Sequence, residues 1–150
     1  MKLLELVGAA DRIIATAMPF AIVGIAANAV WGDVFRMGLG RAGLIAGTVL
    51  LAAGTPLWLW AVGQILVYAP RGRLITTGPF ALVLHPVYTS VALLVIPGIG
   101  FVIDSWVGLA IGGALYIGTR CFAPREEHQL AKDFPAEYPG HRARVLLRWL

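Results

Sequence analysis

The residue types most suited to chemistry in this sequence surround His85. In the stretch LHPVYTS, His85 and Pro86 stand directly before a long apolar run, and Tyr88 follows three residues after the histidine. Proline is tolerated at the start of a helix, and the residue before a proline is driven to an extended conformation. We therefore expect His85 just outside the first turn of a helix. There it could help to bind an anion, or it could simply cap the helix, and its chemistry favours neither.

A second polar cluster contains a pair of acids near the C-terminal end of the sequence. Glu126 and Glu127 follow Pro124, which predicts a helix start at the proline with both acids in the first turn. The acids could bind a ligand, or they could cap the helix and pair with a neighbour such as Lys132. For an isolated Glu-Glu pair the second interpretation is the commoner one.

Other chemistries have weaker support. The metal-binding side chains of the second cluster lack the His-Glu-x-x-His spacing, so no metal is predicted; they are Glu126, Glu127, His128 and His141. Ser90 lacks the strand-turn-helix setting of a catalytic serine. Cys121 is the only cysteine, which excludes an intramolecular disulfide.

Composition indicates the class of protein that must position these clusters. The chain of 150 residues is 59% hydrophobic and 13% charged, with a mean hydropathy of +0.79, whereas soluble domains carry about 25% charged residues. The sequence therefore predicts an integral membrane protein whose main partner is the lipid bilayer. The net charge of +4 does not predict a nucleic-acid partner, because the basic residues flank apolar segments and form no patch with interleaved aromatics.

Four apolar segments approach the length of about 20 residues that a spanning helix needs. They cover residues 13–30, 42–67 (interrupted by Pro56), 87–103 and 106–122. We expect one all-α membrane domain over residues 1–150. It would be a bundle of about four transmembrane helices with a loop at 68–86 and an amphipathic helical tail at 123–150. Pro135 and Pro139-Gly140 should divide the tail into two short pieces, the second a membrane-surface segment.

Charge bias predicts the orientation of such a bundle. Four spans place ten basic residues on one side: Lys2, Arg12, Arg71, Arg73, Arg120, Arg125, Lys132, Arg142, Arg144 and Arg148. Only Arg36 and Arg41 fall on the other side. An excess of Lys and Arg marks the cytoplasmic side, so a multi-pass protein with both termini and both polar clusters in the cytoplasm is expected. In the last two spans, Gly108-x-x-x-Gly112 predicts close helix packing.

The two clusters, in this order and with a helical hairpin between them, resemble the C-terminal half of the isoprenylcysteine carboxyl methyltransferase family and its phospholipid methyltransferase relatives. The resemblance covers roughly residues 71–148, and its strength lies in the ordered set rather than in any one piece. The matching residues are Leu74, Ile75, Thr76, Gly78, Pro79, Phe80, His85, Pro86, Tyr88, Glu126, Glu127, Leu130, Phe134, Tyr138 and Val145.

The resemblance implies an integral membrane enzyme that transfers a methyl group from S-adenosyl-L-methionine to a lipophilic or small acceptor bearing a carboxylate, thiol or amine. Its cytoplasm-facing cofactor pocket would be lined by Arg73, Leu74, Ile75, Phe80, His85, Pro86, Val87, Tyr88 and Glu126. Glu127 would act beside Glu126, and Arg120 or Arg125 would stand in for a substrate-holding arginine, although neither has the usual spacing. Methyl transfer from a sulfonium needs mainly positioning and exclusion of water, which this inventory could supply without a metal.

Three positions depart from the family pattern. Leu84 replaces an arginine before His-Pro, Pro135 replaces a glycine, and His141 replaces a tyrosine. The missing arginine bears on the identity of the methyl acceptor more than on the identity of the cofactor. The sequence does not determine the oligomeric state.

Two alternatives to a methyltransferase remain at this point. One is an NADPH-dependent membrane reductase of the sterol-reductase type, whose cofactor phosphate would need several arginines in the Arg71–Arg73 loop. The other is a non-catalytic membrane protein that retains the pocket.

Overall fold

The computed structural model describes the backbone of residues 3–147 and the side chains of residues 15 and 17–147. The predicted cytoplasmic charges of Lys2 and Arg148 lie outside the described residues, and so does the side chain of Arg12.

Long helices account for most of the described chain. Three of them are α1 (Leu3–Val30), α2 (Gly40–Tyr68) and α6 (Trp106–Asp133). The fourth is built from three elements that follow one another directly: α4 (Pro86–Ser90), a π-helical turn (Val91–Val95) and α5 (Ile96–Val102). These three elements together are called the central helix below. The shorter helices are α3 (Pro79–Leu82) and α7 (Tyr138–Arg144), with 3₁₀ turns at Gly32–Phe35 and Ala69–Arg71. Over residues 3–147 there is no β-strand, only two isolated bridges, so the all-α class is confirmed.

Two helical segments within the described residues are long and apolar enough to cross a membrane. They are Gly40–Arg71 and Trp106–Asp133, in which the mean hydropathy of an 18-residue window reaches 1.7 and 1.2, respectively. Two further apolar helical stretches, Ala17–Val30 and Pro86–Val102, are shorter.

The long helices pack through small residues and turn large apolar side chains outwards. The buried residues of α2 are Gly43, Gly47, Gly54 and Ala61. The large side chains of the same helix that are more than half exposed are Leu44, Ile45, Val49, Leu59, Trp60 and Leu66. This distribution is the reverse of the one found in a water-soluble helix, which buries its large apolar residues.

The helices lie side by side in the order α1, α6, central helix, α2, and each packs on the next. Their connections alternate between the two ends of the bundle. Gly108 on α6 lies against the backbone of Gly100 on the central helix. On the other side of the central helix, a Cβ added to Gly47 of α2 would lie 2.7 Å from the carbonyl oxygen of Gly98. The close packing predicted from Gly108-x-x-x-Gly112 is therefore confirmed, since an added Cβ at either glycine would meet backbone atoms of the central helix.

Asp104 ties the helices together at one end of the bundle. Its backbone has a positive φ of 54° between the central helix and α6, and its carboxylate accepts bonds from the N–H groups of Gly38 (3.3 Å) and Leu39 (3.1 Å) at the start of α2. Its neighbour Ser105 donates to Oδ1 of Asn28, near the end of α1, at 2.7 Å. The two polar clusters of the sequence lie at the opposite end.

Three predicted helix boundaries were wrong. α1 begins at Leu3 rather than at residue 13, because the charged pair Asp11-Arg12 does not end a helix. Pro124 does not start a helix, since α6 runs through it, and Pro56 lies inside an unbroken α2. A proline inside a helix costs about 3 kcal/mol and one backbone bond, but both helices are packed against neighbours on either side of the proline.

The tail also differs from the prediction. α6 ends at Asp133, just before Pro135, as expected. However, Pro139 occupies the first turn of α7 and so helps to begin a helix that Pro139-Gly140 was expected to interrupt.

From Val145 to Leu147 the chain is extended, whereas a helical tail was expected to continue there. The N–H of Leu146 donates to the carbonyl of Ala81 (3.4 Å), and that of Leu147 donates to the carbonyl of Leu82 (2.9 Å). A parallel bridge joins Val83 to Leu147. These backbone bonds hold the end of the described chain against the segment that leads into His85.

Candidate active site

His85 begins the central helix. It is the N-cap residue, with φ −123° and ψ 63°, and Pro86 follows as the first helical residue, which confirms the position expected from the His-Pro pair. The side chain is only 8% exposed. Tyr88 lies one turn further on, and its ring centroid is 6.3 Å from that of His85.

The two polar clusters of the sequence meet at this histidine. Nδ1 of His85 is 3.8 Å from Oε2 of Glu126, and Nε2 is 3.8 Å from Oε1 of Glu127. These are ion-pair distances, longer than hydrogen bonds. Because α6 begins at Trp106, neither acid caps a helix, and the capping interpretation is wrong. The imidazole therefore lies between two carboxyl groups carried by a different helix.

Arg142 completes the cluster from α7. Its Nε donates to Oε2 of Glu127 at 2.8 Å, with the Glu127 side chain 20% exposed and the arginine 55% exposed. In the sequence Arg142 was assigned only to the basic face of the tail. No helical spacing relates it to Glu127, because the chain turns between α6 and α7, so the pairing had no sequence signal.

The two acids differ in their electrostatics. Both lie beyond the apolar stretch 106–122 of α6. The contact with His85, and after it the bond from Arg142, lower the pKa of Glu127 to about 2 against the opposing effect of partial burial. Burial raises the pKa of Glu126, and His85 offsets this only in part. One carboxyl is therefore held ionised, and the other is pushed towards its protonated form.

Several buried polar atoms around this cluster have no hydrogen-bond partner among the described residues. They are Nε2 of His85, Oγ1 of Thr89, Oε2 of Glu126 and the hydroxyl of Tyr138. Thr89 lies one turn after His85, and Tyr138 begins α7. A buried polar group without a partner costs about 1–3 kcal/mol. Such a concentration of unpaired donors and acceptors is typical of a site that binds a polar ligand.

The apolar residues predicted to line the pocket are buried or half-buried. Pro86 is buried at the base of the cluster, and Val87 is half-buried beside it. Leu74, Ile75 and Phe80 are also half-buried, in the segment that leads to the central helix.

The three predicted arginines are not brought to the acids. Arg73, Arg120 and Arg125 are exposed. Within the described part of the chain no hydrogen bond or ion pair joins them to Glu126 or Glu127. For a metal, residues 3–147 offer no group of three or more His, Cys, Asp or Glu side chains that could hold an ion.

The polar groups of the cluster fit the amino-acid part of S-adenosyl-L-methionine. A free carboxyl oxygen of Glu126 can accept a bond from an ammonium or a hydroxyl group, and the unpaired Nε2 of His85 can donate to a carboxylate. No family model, curated protein or solved structure matches this chain. The resemblance to the methyltransferase family thus depends on the residues alone.

Proposed function

We propose that this protein is an integral membrane methyltransferase that uses S-adenosyl-L-methionine. The observation that carries the proposal is the placement of His85 between Glu126 and Glu127, at 3.8 Å from each. These residues belong to two clusters far apart in the sequence, and they are the polar core of the pattern that resembles the isoprenylcysteine carboxyl methyltransferase family.

A membrane location is supported by the two long apolar helices and by the large apolar side chains that cover the outside of the bundle. We propose that the four long helices all cross the bilayer, although two of their apolar stretches are short. Arg71, Arg73 and Arg142 are exposed at the end that carries the site, so this end is proposed to face the cytoplasm.

The proposed roles follow from what each group can do. The cofactor would supply a methyl group on a sulfonium, which is already activated for transfer. Glu126 would accept from its ammonium or ribose hydroxyls, and His85 would donate to its carboxylate. Leu74, Ile75 and Phe80 would exclude water, so that the chain contributes mainly orientation and a dry site.

The acceptor is proposed to approach from the membrane side. Glu127, fixed by Arg142, would border the reacting groups. Arg120 and Arg125, exposed on the same helix, are the candidates to hold an acidic group of the acceptor.

Calorimetry on the purified protein in detergent tests the proposal. S-adenosyl-L-methionine and S-adenosyl-L-homocysteine should both bind the wild type. His85→Ala and Glu126→Ala should weaken binding by about tenfold or more, because each removes a hydrogen bond to a charged group. His128→Ala, on the exposed part of α6, is the matched control and should leave the affinity unchanged. Absence of binding, or equal affinity in all four proteins, would contradict the proposal.

The two alternatives have less support from the geometry. A nicotinamide cofactor with an extra phosphate needs arginines in its site, and Arg71 and Arg73 are both exposed outside the acid–histidine cluster. A spectroscopic titration with NADPH separates the two enzymes. A protein that binds S-adenosyl-L-homocysteine but methylates no lipid, thiol or prenylcysteine acceptor would be the non-catalytic form.

A further inference from the structure

The two carboxyl groups beside His85 are not equivalent, and their difference has a consequence for binding. We propose that Glu126 is the carboxyl that selects a cationic group of the ligand, and that this group displaces the proton of the buried Glu126 side chain. The inference rests on the proposed function for the identity of the ligand.

Glu127 already forms an ion pair with a basic side chain of the protein itself. Its Oε2 accepts from Nε of Arg142 at 2.8 Å, while its Oε1 faces Nε2 of His85 at 3.8 Å. Each of its oxygens therefore has a positively charged or polar neighbour. A ligand ammonium would have to replace Arg142 to reach this carboxylate, and the replacement would leave a guanidinium unpaired.

Glu126 has no such partner. Its side chain is only 15% exposed, its Oε2 lies 3.8 Å from Nδ1 of His85, and this oxygen is buried without a hydrogen bond in the described structure. The imidazole itself is 8% exposed, with its Nε2 also unpaired. The pair therefore presents an unused acceptor and an unused ring nitrogen in a largely dry setting.

The neighbours of Glu126 do not supply the missing charge. Tyr88 from the central helix and Tyr138 from α7 contribute phenol groups rather than cations, Glu127 on the same helix is an acid, and Arg142 is bonded to Glu127. An ionised carboxylate in such a place is costly unless a cation lies beside it. In the free protein that cation is a proton on the Glu126 carboxyl group.

Binding is then an exchange of one cation for another. The ligand ammonium keeps its protons and donates to Oε2 of Glu126. The proton of Glu126 leaves its carboxyl oxygen for the solvent. A ligand that lacks a cationic group cannot drive this release, so Glu126 discriminates by charge.

Calorimetry in buffers of different ionisation enthalpy counts the protons directly. Titration of S-adenosyl-L-homocysteine, which carries an ammonium, into the wild type in phosphate and in Tris at one pH should show release of about one proton per ligand. By linkage, affinity should then rise by about tenfold per pH unit where Glu126 is protonated. Glu126→Gln should abolish the release, whereas Asp133→Asn, an isosteric change at the exposed end of the same helix, should retain it.

The outcomes separate the two proposals. Tight binding with no proton released by the wild type would overturn this inference and leave the methyltransferase proposal standing. Release that survives in Glu126→Gln would assign the exchanged proton to another group and overturn the inference as well. If S-adenosyl-L-homocysteine does not bind at all, both proposals fall. Thermal melting of each variant shows whether a lost signal reflects a lost fold.

Discussion

Leu84 stands directly before His85 and is itself 8% exposed. The family that this sequence resembles has an arginine at this position. A guanidinium buried here would need a counter-ion of its own, which a leucine does not. The leucine therefore suits the burial of this position. If the protein is a methyltransferase, its acceptor is held by some other group.

The ion pair between Glu127 and Arg142 yields a prediction for acid stability. The folded pKa of Glu127 is about 2, below its ordinary value of 4.5. A lowered pKa contributes stability that is fully present above pH 4.5 and is lost as the pH falls towards 2. Arg142→Ala removes part of this contribution, and we expect the free energy of unfolding at neutral pH to fall by about 0.2–1 kcal/mol, because the half-exposed guanidinium is screened by solvent.

Thermal melting in detergent between neutral and acidic pH measures this effect. The difference between wild type and Arg142→Ala should shrink as the pH drops below 4.5. Arg144→Ala is the control, because its Nε donates only to the carbonyl of Gly140 in the same helix. An equal loss in both variants at every pH would show that the Arg142 bond has no role of its own.

At the residue scale, the sequence could predict only part of the site. The position of His85 before its helix follows from the conformational restriction that Pro86 imposes. The approach of Arg142 to Glu127 depends on how the chain turns after Asp133. That turn is a tertiary result, so no local spacing rule could reveal the pairing.

At the scale of the helices, the close packing of backbones determines which substitutions are tolerated. The contact between α6 and the central helix is made backbone to backbone at Gly108 and Gly100, so any side chain at Gly108 meets main-chain atoms that cannot yield. Gly113, one residue beyond Gly112, has no atom within 4 Å of an added Cβ. Gly108 and Gly113 therefore differ in what an added methyl group would meet: backbone atoms at Gly108 and open space at Gly113.

We expect Gly108→Ala to destabilise the protein by about 1–3 kcal/mol through overpacking. Gly113→Ala should be neutral or slightly stabilising, because alanine favours helix and nothing opposes its side chain. Thermal melting of the two variants beside the wild type is the measurement. A Gly108→Ala protein that melts like the wild type would mean that α6 and the central helix are further apart than described.

Element boundaries were harder to predict than element existence. The apolar runs predicted four spanning helices; the described chain is helical over each run, and two of these helices are long and apolar enough to cross a membrane. Pro56 and Pro124 misled the boundaries because a proline penalises a helix locally, whereas packing along the whole length of α2 and α6 outweighs one lost bond. The extended segment after α7 was missed because its backbone bonds run to residues 81–82, far away in the sequence.

At the scale of the whole molecule, large apolar side chains lie on the outside of the described helices. Large apolar residues such as Ile45 and Trp60 are 64% and 58% exposed, while glycines and alanines fill the helix contacts. In water such a surface would favour aggregation. This inversion is consistent with the membrane location proposed from composition.

The proposed topology predicts which side of the membrane each loop reaches. In a Cys121→Ser background, which removes the exposed native cysteine, single cysteines at Asp33 and Arg73 should react with an impermeant thiol reagent from opposite sides. Asp33 has a side chain 98% exposed, and Arg73 is exposed at the other end of the bundle. Cells or sealed vesicles of known orientation provide the assay. Labelling of both positions from one side would disprove an odd number of crossings between them.

The π-helical turn Val91–Val95 accommodates one extra residue in the central helix. This wide turn separates the part that carries His85 from the part that carries Gly98 and Gly100. Because a π turn holds one residue more than an α turn, removing one residue there would restore regular α-helix and leave the two parts nearly in phase. Removing a residue from the regular helix on either side would instead rotate one part about 100° relative to the other. His85 could then face the acids only if the glycines left α2 and α6, so deletions should be better tolerated inside the wide turn than outside it.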